Sequence, residues 1–458
     1  MSQSASSNRS FALRAVAVVL LGLALMRLNA WVGVIASGSV QMDFAAFYGA
    51  GQSLNLGYNP YENNMEKRPP VWDGLSAYRH SRFLYPPLAA TLFRPLAMLS
   101  YPVAKMVWIG IGLASLLGTI LLSFRITGLK SVDALLLSCA GAASFFPLLC
   151  NLDRGQIDLV TLLFITVSVY GLSTGRRAGG VGAGAVLAFV VLLKLHAVLF
   201  VPFLILRRRW DALAGLVIGG VLLGGLSLAF NGRAAIEDYL RVQLPRIAEY
   251  GENGTPEMLM PLDMLNSRID PSGKITMDGK PFAMEAVKFF PNATLVRPLR
   301  AEAKDAGFSP KFSALSLGLF AVGFVGVALT IWLRSPGPRP PGREELLYWL
   351  TAMALVMVTA PLTWTMNVVW LIPALPLAFA LGASAPDRAT AVAVALLVLA
   401  FVIAWLPDTR AYAFLRPLAI LDEGKYIAAE ILTVIAGAFL VRRSIAARRG
   451  AAPAPTTA

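Results

Sequence analysis

Apolar residues in this chain fall in long blocks rather than in alternation. Phe11–Leu25, Val132–Leu149, Ile157–Leu172 and Phe312–Leu333 carry few charges or none. A hydrocarbon core ~30 Å thick takes ~20 apolar residues per helix, and these blocks meet or approach that length. A closed β-barrel would need alternating segments of about ten residues, and the blocks do not alternate. Helices are then the only spanning structure that satisfies the backbone in lipid. The pattern predicts an all-α, polytopic transmembrane helix bundle of roughly eleven membrane elements. They fall near 11–36, 102–124, 131–150, 156–173, 180–206, 211–230, 312–333, 345–360, 364–383, 388–406 and 426–442.

Composition agrees with this pattern: 57% of residues are hydrophobic and 14% charged, against about 25% charged in a soluble domain. The net charge of +14 would suggest nucleic acid in a soluble protein. Here the excess lies in short loops beside apolar runs, so it sets orientation instead. Arg176-Arg177, Arg207-Arg208-Arg209, Arg334 to Arg343 and Arg442-Arg443 are placed in the cytoplasm, with both termini inside. Gly180–Leu206 is basic at both ends, so it is expected to form a re-entrant hairpin with Lys194 near its tip. A single tilted helix is the competing reading. The N-terminal run is read as an uncleaved anchor. Cys139 and Cys150 share one expected helix and offer no disulfide framework.

The divisions expected are a disordered start at 1–10, an N-terminal transmembrane module at 11–230 with its first external loop at 38–100, and an external loop at 231–311. A C-terminal transmembrane module at 312–445 and a disordered tail at 446–458 follow. The external regions are large and the cytoplasmic loops short. A user of ATP or a nucleotide-sugar would need a sizeable cytoplasmic domain, so the chemistry is expected outside.

Candidate residues cluster at the outer ends of the spans. Asp43 follows the first span at the head of an amphipathic stretch, where a carboxylate can serve as a general base. The plainer reading is a helix cap. Pro86 and Pro87 force Tyr85 into an extended conformation and fix a turn. It is either a rigid entry to a surface helix or a tyrosine at the mouth of a cavity. Asn151-Leu152-Asp153-Arg154-Gly155-Gln156-Ile157-Asp158 packs dense polarity between apolar runs. It is either a polar turn with Asp153 and Arg154 paired in water, or a site with Asp158 inside the membrane boundary. An intramembrane lysine is a functional candidate by default, and Lys194 could neutralise a phosphate as a compact point charge. His196 could be a packed residue, and Trp364 an interfacial belt residue. Gly180-Val181-Gly182-Ala183-Gly184 reads as close helix packing. Asn292-Ala293-Thr294 matches a glycosylation sequon. There is no P-loop and no G-x-G-x-x-G after a strand. The sequence holds no carboxylate cluster suited to a metal; no cofactor is expected, and metal dependence is left open.

In order, these pieces are an Asp after the first span, Gly57-Tyr58-Asn59-Pro60-Tyr61, and Tyr85-Pro86-Pro87. Next come Asn151 to Gln156, a membrane Lys before an Arg-rich loop ending in Trp210, and Pro361-x-x-Trp364. The set resembles the GT-C superfamily of membrane glycosyltransferases, and in particular glycosyltransferase family 87, the polyprenyl-phosphate-mannose-dependent α-mannosyltransferases. The resemblance spans roughly residues 11–380. It implies a GT-C-like bundle, a polyprenyl-phosphate sugar donor, a lipid or glycan acceptor, and inverting transfer on the extracytoplasmic face. It implies Asp43 as general base. Lys194, Arg154 and Arg82 are the candidates for the sugar donor's phosphate. Tyr48, Tyr85, Asn151, Gln156, Asp158, His196, Trp364 and Asn367 are the candidates for binding substrate. Two positions depart from the family pattern: Thr365-Met366-Asn367 where histidine commonly follows the Trp, and Lys194-Leu195-His196 where Lys-Pro is usual. Membrane lipids are the other expected partners, and nucleic acid is not one. The Ala-, Gly- and Arg-rich usage suggests a bacterial inner membrane. The competing class is a transporter or flippase of a lipid-linked or anionic solute; a scaffold subunit is a third.

Overall fold

The computed structural model describes residues 2–38, 41–61, 83–245, 294–308, 311–332, 342–361, 363–384, 387–407 and 420–450, with three short strand segments between 267 and 281. Among the described residues sixteen α-helices carry the fold. In the N-terminal half they are α1 (Ser2–Gly38), α2 (Met42–Asn55), α3 (Pro87–Phe93), α4 (Tyr101–Thr127), α5 (Val132–Ala143), α6 (Phe146–Arg154), α7 (Asp158–Ser173), α8 (Arg177–Leu193), α9 (Val201–Leu206) and α10 (Trp210–Asp238). The C-terminal half adds α11 (Val296–Asp305), α12 (Phe312–Trp332), α13 (Gly342–Thr359), α14 (Ala374–Gly382), α15 (Arg388–Trp405) and α16 (Ile420–Gly450). A small antiparallel sheet joins β1 (Ser267–Ile269), β2 (Ile275–Met277) and β3 (Lys280–Pro281). Seven helices among the described residues are long and apolar enough to cross a membrane, and a bent pair would make eight. The protein is a multi-pass, all-α membrane bundle.

The stretch expected as one helix over 131–150 is two, α5 and α6, meeting at 53°. Pro147 lies in the first turn of α6, where its missing N–H costs nothing. Irregular backbone at membrane depth is tolerated when neighbours satisfy it. Arg27 of α1 donates to the Ser144 carbonyl at 3.2 Å, and Trp405 of α15 donates to the Ser144 hydroxyl at 2.9 Å. The break places Cys139 and Cys150 on different helices.

α8 and α10 run parallel. A Cβ on Gly184 would lie 1.8 Å from the Ala212 carbonyl oxygen, and one on Gly215 1.9 Å from that of Val181. Further along, one on Gly219 would lie 2.8 Å from Ala185 Cα. The glycine run therefore does what its composition suggested: it lets two backbones touch. Two successive helices lie parallel only if the chain between them doubles back, so residues 194–209 return toward the end where α8 began. With 17 residues at ~1.5 Å each, α8 spans ~25 Å. That is less than the ~30 Å core.

The basic clusters converge on one end of the bundle. Arg207 lies 3.6 Å from Glu344 and 3.4 Å from Glu345 at the head of α13. Arg209 donates to the Leu172 carbonyl at 3.1 Å, Arg343 to Ser384 at 2.9 Å, and Arg443 pairs with Asp387. The segments α2 and α3 are not among the helices long and apolar enough to span. They are not surface-exposed, however. Phe44, Phe47, Tyr48, Ala89 and Phe93 are buried in an aromatic cluster with Tyr101 and Trp108 of α4. This cluster seats α2 at the end of the bundle opposite the basic clusters.

Candidate active site

Asp43 and Asp158 define the site, each reached by a short stretch of local structure. Gln41 caps α2, so Asp43 stands in its first turn and is not the cap. There the exposed N–H groups and the helix dipole favour an anion. The helix is pinned from both sides. The Gln41 amide donates to the Leu152 carbonyl, and Phe44 stacks on Trp108 at 6.1 Å.

The facing element is the turn between α6 and α7. Gly155 adopts φ +70°, and the N–H groups of Gly155 and Gln156 both donate to the Asn151 carbonyl, at 2.9 and 3.0 Å. A Cβ at Gly155 would lie 2.5 Å from Phe44 Cβ. Both the left-handed backbone and the close approach of α2 require glycine there. Trp108 donates to the Gly155 carbonyl at 2.9 Å and fixes the turn against α4. Through this turn the sequence Arg154-Gly155-Gln156-Ile157-Asp158 aims three polar side chains at two neighbouring points.

At the first point Arg154 grips Asp43 with two hydrogen bonds, Nε to Oδ2 at 2.9 Å and Nη2 to Oδ1 at 3.0 Å. Gln156 Nε2 adds a third, to Oδ2 at 2.8 Å. The Tyr85 hydroxyl donates to Gln156 Oε1 at 2.8 Å. Burial pushes the Tyr85 phenol well above its ordinary range, and the negative charges of Asp43 and Asp158 push it the same way. It therefore stays protonated and donates, which turns the Gln156 amide so that its NH₂ faces Asp43.

The second point repeats the plan. Lys194 Nζ lies 2.5 Å from Asp158 Oδ1, both side chains buried. Asn367 Nδ2 donates to Asp158 Oδ2 at 2.9 Å. The Trp364 backbone N–H donates to Asn367 Oδ1 at 2.7 Å, which orients that amide in turn. Each carboxylate thus holds one cation and one amide, and each amide is aimed by a donor behind it. Asn151 crosses between the segments and donates to the Met366 carbonyl at 3.2 Å.

Of the residues singled out from the sequence, Asp43, Tyr85, Arg154 and Gln156 meet at one carboxylate, and Asp158, Lys194, Asn367 and Trp364 at the other. Arg154 pairs with Asp43, not with its neighbour Asp153 in water. Lys194 closes α8 in an extended conformation, φ −139° and ψ 102°, where the chain begins to double back, and it pairs there with Asp158. His196 packs against Trp370, ring centroids 5.4 Å apart. Trp364, partly buried, packs on Phe146, Cys150 and Met366. Tyr48 turns away: its hydroxyl donates to the Leu99 carbonyl at 2.7 Å inside the aromatic cluster, so it supports α2 and does not line the site. Arg82 and the sequon residue Asn292 lie outside the described residues. Among the described residues no group of three His, Cys, Asp or Glu side chains could hold a metal.

Several contributors were not anticipated. Gln41 and Trp108 anchor the two backbones. Tyr61 donates to the Tyr85 carbonyl at 2.6 Å and stacks on Tyr239, 6.0 Å away. Asn59 donates to Asp238 at 3.1 Å, tying the Gly57–Tyr61 segment to the end of α10. Asn59 and Tyr61 belong to the Gly57–Tyr61 motif singled out from the sequence, and Gln41 is an amide at the close of an apolar run.

Known proteins are similar to this chain in sequence. A model of glycosyltransferase family 87 matches residues 83–269, the segment that supplies Tyr85, Arg154, Gln156, Asp158 and Lys194. A polyprenol-phosphate-mannose-dependent alpha-(1-2)-phosphatidylinositol pentamannoside mannosyltransferase of Mycolicibacterium smegmatis is 26% identical over 372 residues, covering 79% of this chain and 75% of that protein. A protein of the same name from Mycobacterium tuberculosis is 26% identical over 229 residues, 48% of each chain. The family match covers the turn that builds the site, and together with these two relatives it makes the chain similar to the glycosyltransferases of family 87.

Proposed function

We propose that this enzyme transfers mannose from a polyprenyl-phosphate carrier to a lipid-linked acceptor on the extracytoplasmic face of a bacterial cytoplasmic membrane, with inversion at the anomeric carbon. The observation that carries the reading is the pairing of each site carboxylate with a cation: Asp43 with Arg154 and Asp158 with Lys194. A transfer from a sugar phosphate needs a base for the acceptor hydroxyl and positive charge for the departing phosphate, and both are present within one cluster. Asp43 is the base, because it opens an external helix where an acceptor can reach it. Asp158 is sealed between Lys194 and Asn367, and it holds the lysine in place.

The step balances as follows. The acceptor hydroxyl gives its proton to Asp43, and its oxygen bonds to the anomeric carbon from the face opposite the phosphate. The bond from that carbon to the phosphate oxygen breaks, and its electron pair leaves with the polyprenyl phosphate. The phosphate gains a second negative charge, which Arg154 and Lys194 neutralise. No strong acid is needed. Because both relatives are named for a phosphatidylinositol pentamannoside, the acceptor class proposed is a phosphatidylinositol-linked glycolipid. Orientation rests on the arginine clusters, which gather at the end away from the site and belong in the cytoplasm.

The test is sugar transfer by purified protein in nanodiscs, from radiolabelled polyprenyl-phosphate-mannose to a membrane lipid extract, wild type beside Asp43→Asn. Wild type should form labelled glycolipid. The variant should lose activity by at least ~10³-fold, at the level expected for a lost general base with its charge. Equal product from both would remove Asp43 from the mechanism. No product from wild type with any polyprenyl-phosphate sugar would remove the sugar-donor class.

A further inference from the structure

The Tyr85 hydroxyl reaches the site from a stretch with little backbone support. Residues 83–85 precede a proline pair, and Pro86 and Pro87 have no N–H to offer. Among the described residues one hydrogen bond reaches the backbone of 83–85: the Tyr61 hydroxyl donates to the Tyr85 carbonyl at 2.6 Å. Burial, and then Tyr239 and Asp238, push the Tyr61 phenol above its ordinary range, so it stays a donor. The Tyr85 ring lies against Phe47 of α2, centroids 4.5 Å apart. That contact is non-directional; it places the ring without fixing how far its hydroxyl reaches.

Tyr61 is itself held from α10. Its N–H donates to Asn59 Oδ1 at 3.1 Å, Asn59 Nδ2 donates to Asp238 at 3.1 Å, and its ring stacks on Tyr239 at 6.0 Å. Asp238 and Tyr239 lie beyond a break in α10. Gly232 takes φ 76° and ψ 167° inside the helix, a backbone conformation that favours glycine. One residue before the break, Asn231 donates to Thr91 of α3 at 2.8 Å. The break therefore separates a part of α10 tied to the bundle from a part tied to Asn59 and Tyr61. Directly after Asp238 the helix widens into a π turn at Tyr239–Gln243, a feature frequent at functional sites.

We infer that Tyr61 is a positioning residue for the proposed transfer: it carries the position of the end of α10, through Tyr85 and Gln156, to Asp43. The path is continuous. Asp238 and Tyr239 place Asn59 and Tyr61, and Tyr61 sets the backbone of Tyr85. The Tyr85 hydroxyl turns the Gln156 amide, and that amide donates to Asp43 at 2.8 Å. Arg154 also holds Asp43, so the relay adjusts the aim of the base and is not its sole support. A misaimed base slows proton transfer, which needs the reacting atoms within hydrogen-bond reach. It leaves the cations proposed for the phosphate in place. The inference rests on Asp43 as the base of the proposed transfer and adds a residue, two side chains removed from it, that sets the rate.

The experiment measures kcat, and KM for polyprenyl-phosphate-mannose, in nanodiscs for wild type, Tyr61→Phe, Tyr85→Phe and the double variant. Tyr61→Phe keeps the ring on Tyr239 and removes the bond to the Tyr85 carbonyl. Its kcat should fall by about five- to ten-fold, as for the loss of one hydrogen bond. KM should change by less than about two-fold, since the lost interaction serves the transition state. With Phe at 85 nothing aims Gln156, so Tyr61→Phe should then lower kcat by no more than about two-fold, the non-additivity of residues acting in one path. Equal loss in both backgrounds, loss confined to KM, or no loss at all would overturn the relay while leaving the transfer itself intact. Should Tyr61→Phe fail to fold, Asn59→Ala cuts the tie to Asp238 one step earlier. Its loss of kcat should likewise vanish with Phe at 85, and persistence there would overturn the relay. Turnover that survives Asp43→Asn, or no turnover by wild type with any polyprenyl-phosphate sugar, would instead overturn the base or the sugar-donor reading, and the inference with it.

Discussion

Asp43 and Asp158 share a chemistry and differ in confinement. Asp43 is held by a guanidinium at the edge of the bundle. Asp158 is fully buried, with Lys194 at 2.5 Å. Removing one partner of a buried ion pair leaves the other uncompensated, at a cost of about 3–5 kcal/mol. Asp158→Asn should therefore lower thermal stability strongly in detergent, as should Lys194→Met. The double variant Asp158→Leu/Lys194→Met should regain most of that stability, because replacing both charges by apolar groups is often neutral. It should regain no transfer activity, because the positive charge near the leaving phosphate is gone. Unfolding midpoints and turnover for the three variants separate the two roles. Recovery of activity along with stability would show that Lys194 serves only the fold.

Between elements, the decisive contact is the parallel seam of α8 and α10. It forces the chain to return through residues 194–209, and that return leaves Lys194 at the far end of α8. No glycine or proline marks the break itself: the residues around it are Leu193, Lys194 and Leu195. Leucine and lysine are good helix formers, so local propensity argues for continuing the helix. Instead the ion pair to Asp158 and the packing of α10 against α8 end α8 there. Gly184→Leu would drive a side chain into the Ala212 carbonyl of α10. Overpacking of this kind costs about 1–3 kcal/mol or more, and here the seam must open to admit it. The variant should show reduced thermal stability and weakened activity, because Lys194 loses its position. Gly182→Leu, on the same helix with nothing within 4 Å of its Cβ position, should be close to wild type. Parity between the two variants would argue against the seam.

For the molecule as a whole, the arrangement is polar: arginines at one end, the carboxylates at the other. Placing the arginines in the cytoplasm puts the Asp43 site on the far side of the membrane. With Cys139 and Cys150 replaced by alanine, a single cysteine at Arg176 should react with an impermeant maleimide only in inverted vesicles. One at Tyr58, 39% exposed near the site, should react in intact cells or right-side-out vesicles. The reverse pattern would place the chemistry in the cytoplasm and undo the proposed use of a lipid-carried sugar on the outer face.

The amino-acid sequence by itself determined the class of structure and the cast of residues. Long apolar blocks demand helices because lipid offers the backbone no other partner. Charges and amides that survive at the ends of such blocks stand out, because burying them has a cost. That is why Asp43, Arg154, Gln156, Asp158, Lys194 and Asn367 were legible without a structure. Tertiary structure alone decided who meets whom. Arg154 lies one residue from Asp153 in the chain, yet it pairs with Asp43, which is 111 positions away. Asn367 reaches Asp158 across 209 positions, and Tyr48 turns out to be packing although it sits one helical turn from the base. These choices depend on helix seams, a glycine turn and the direction of a buried amide. No local pattern encodes them, because each is fixed by surfaces distant in sequence that come together only in the folded bundle.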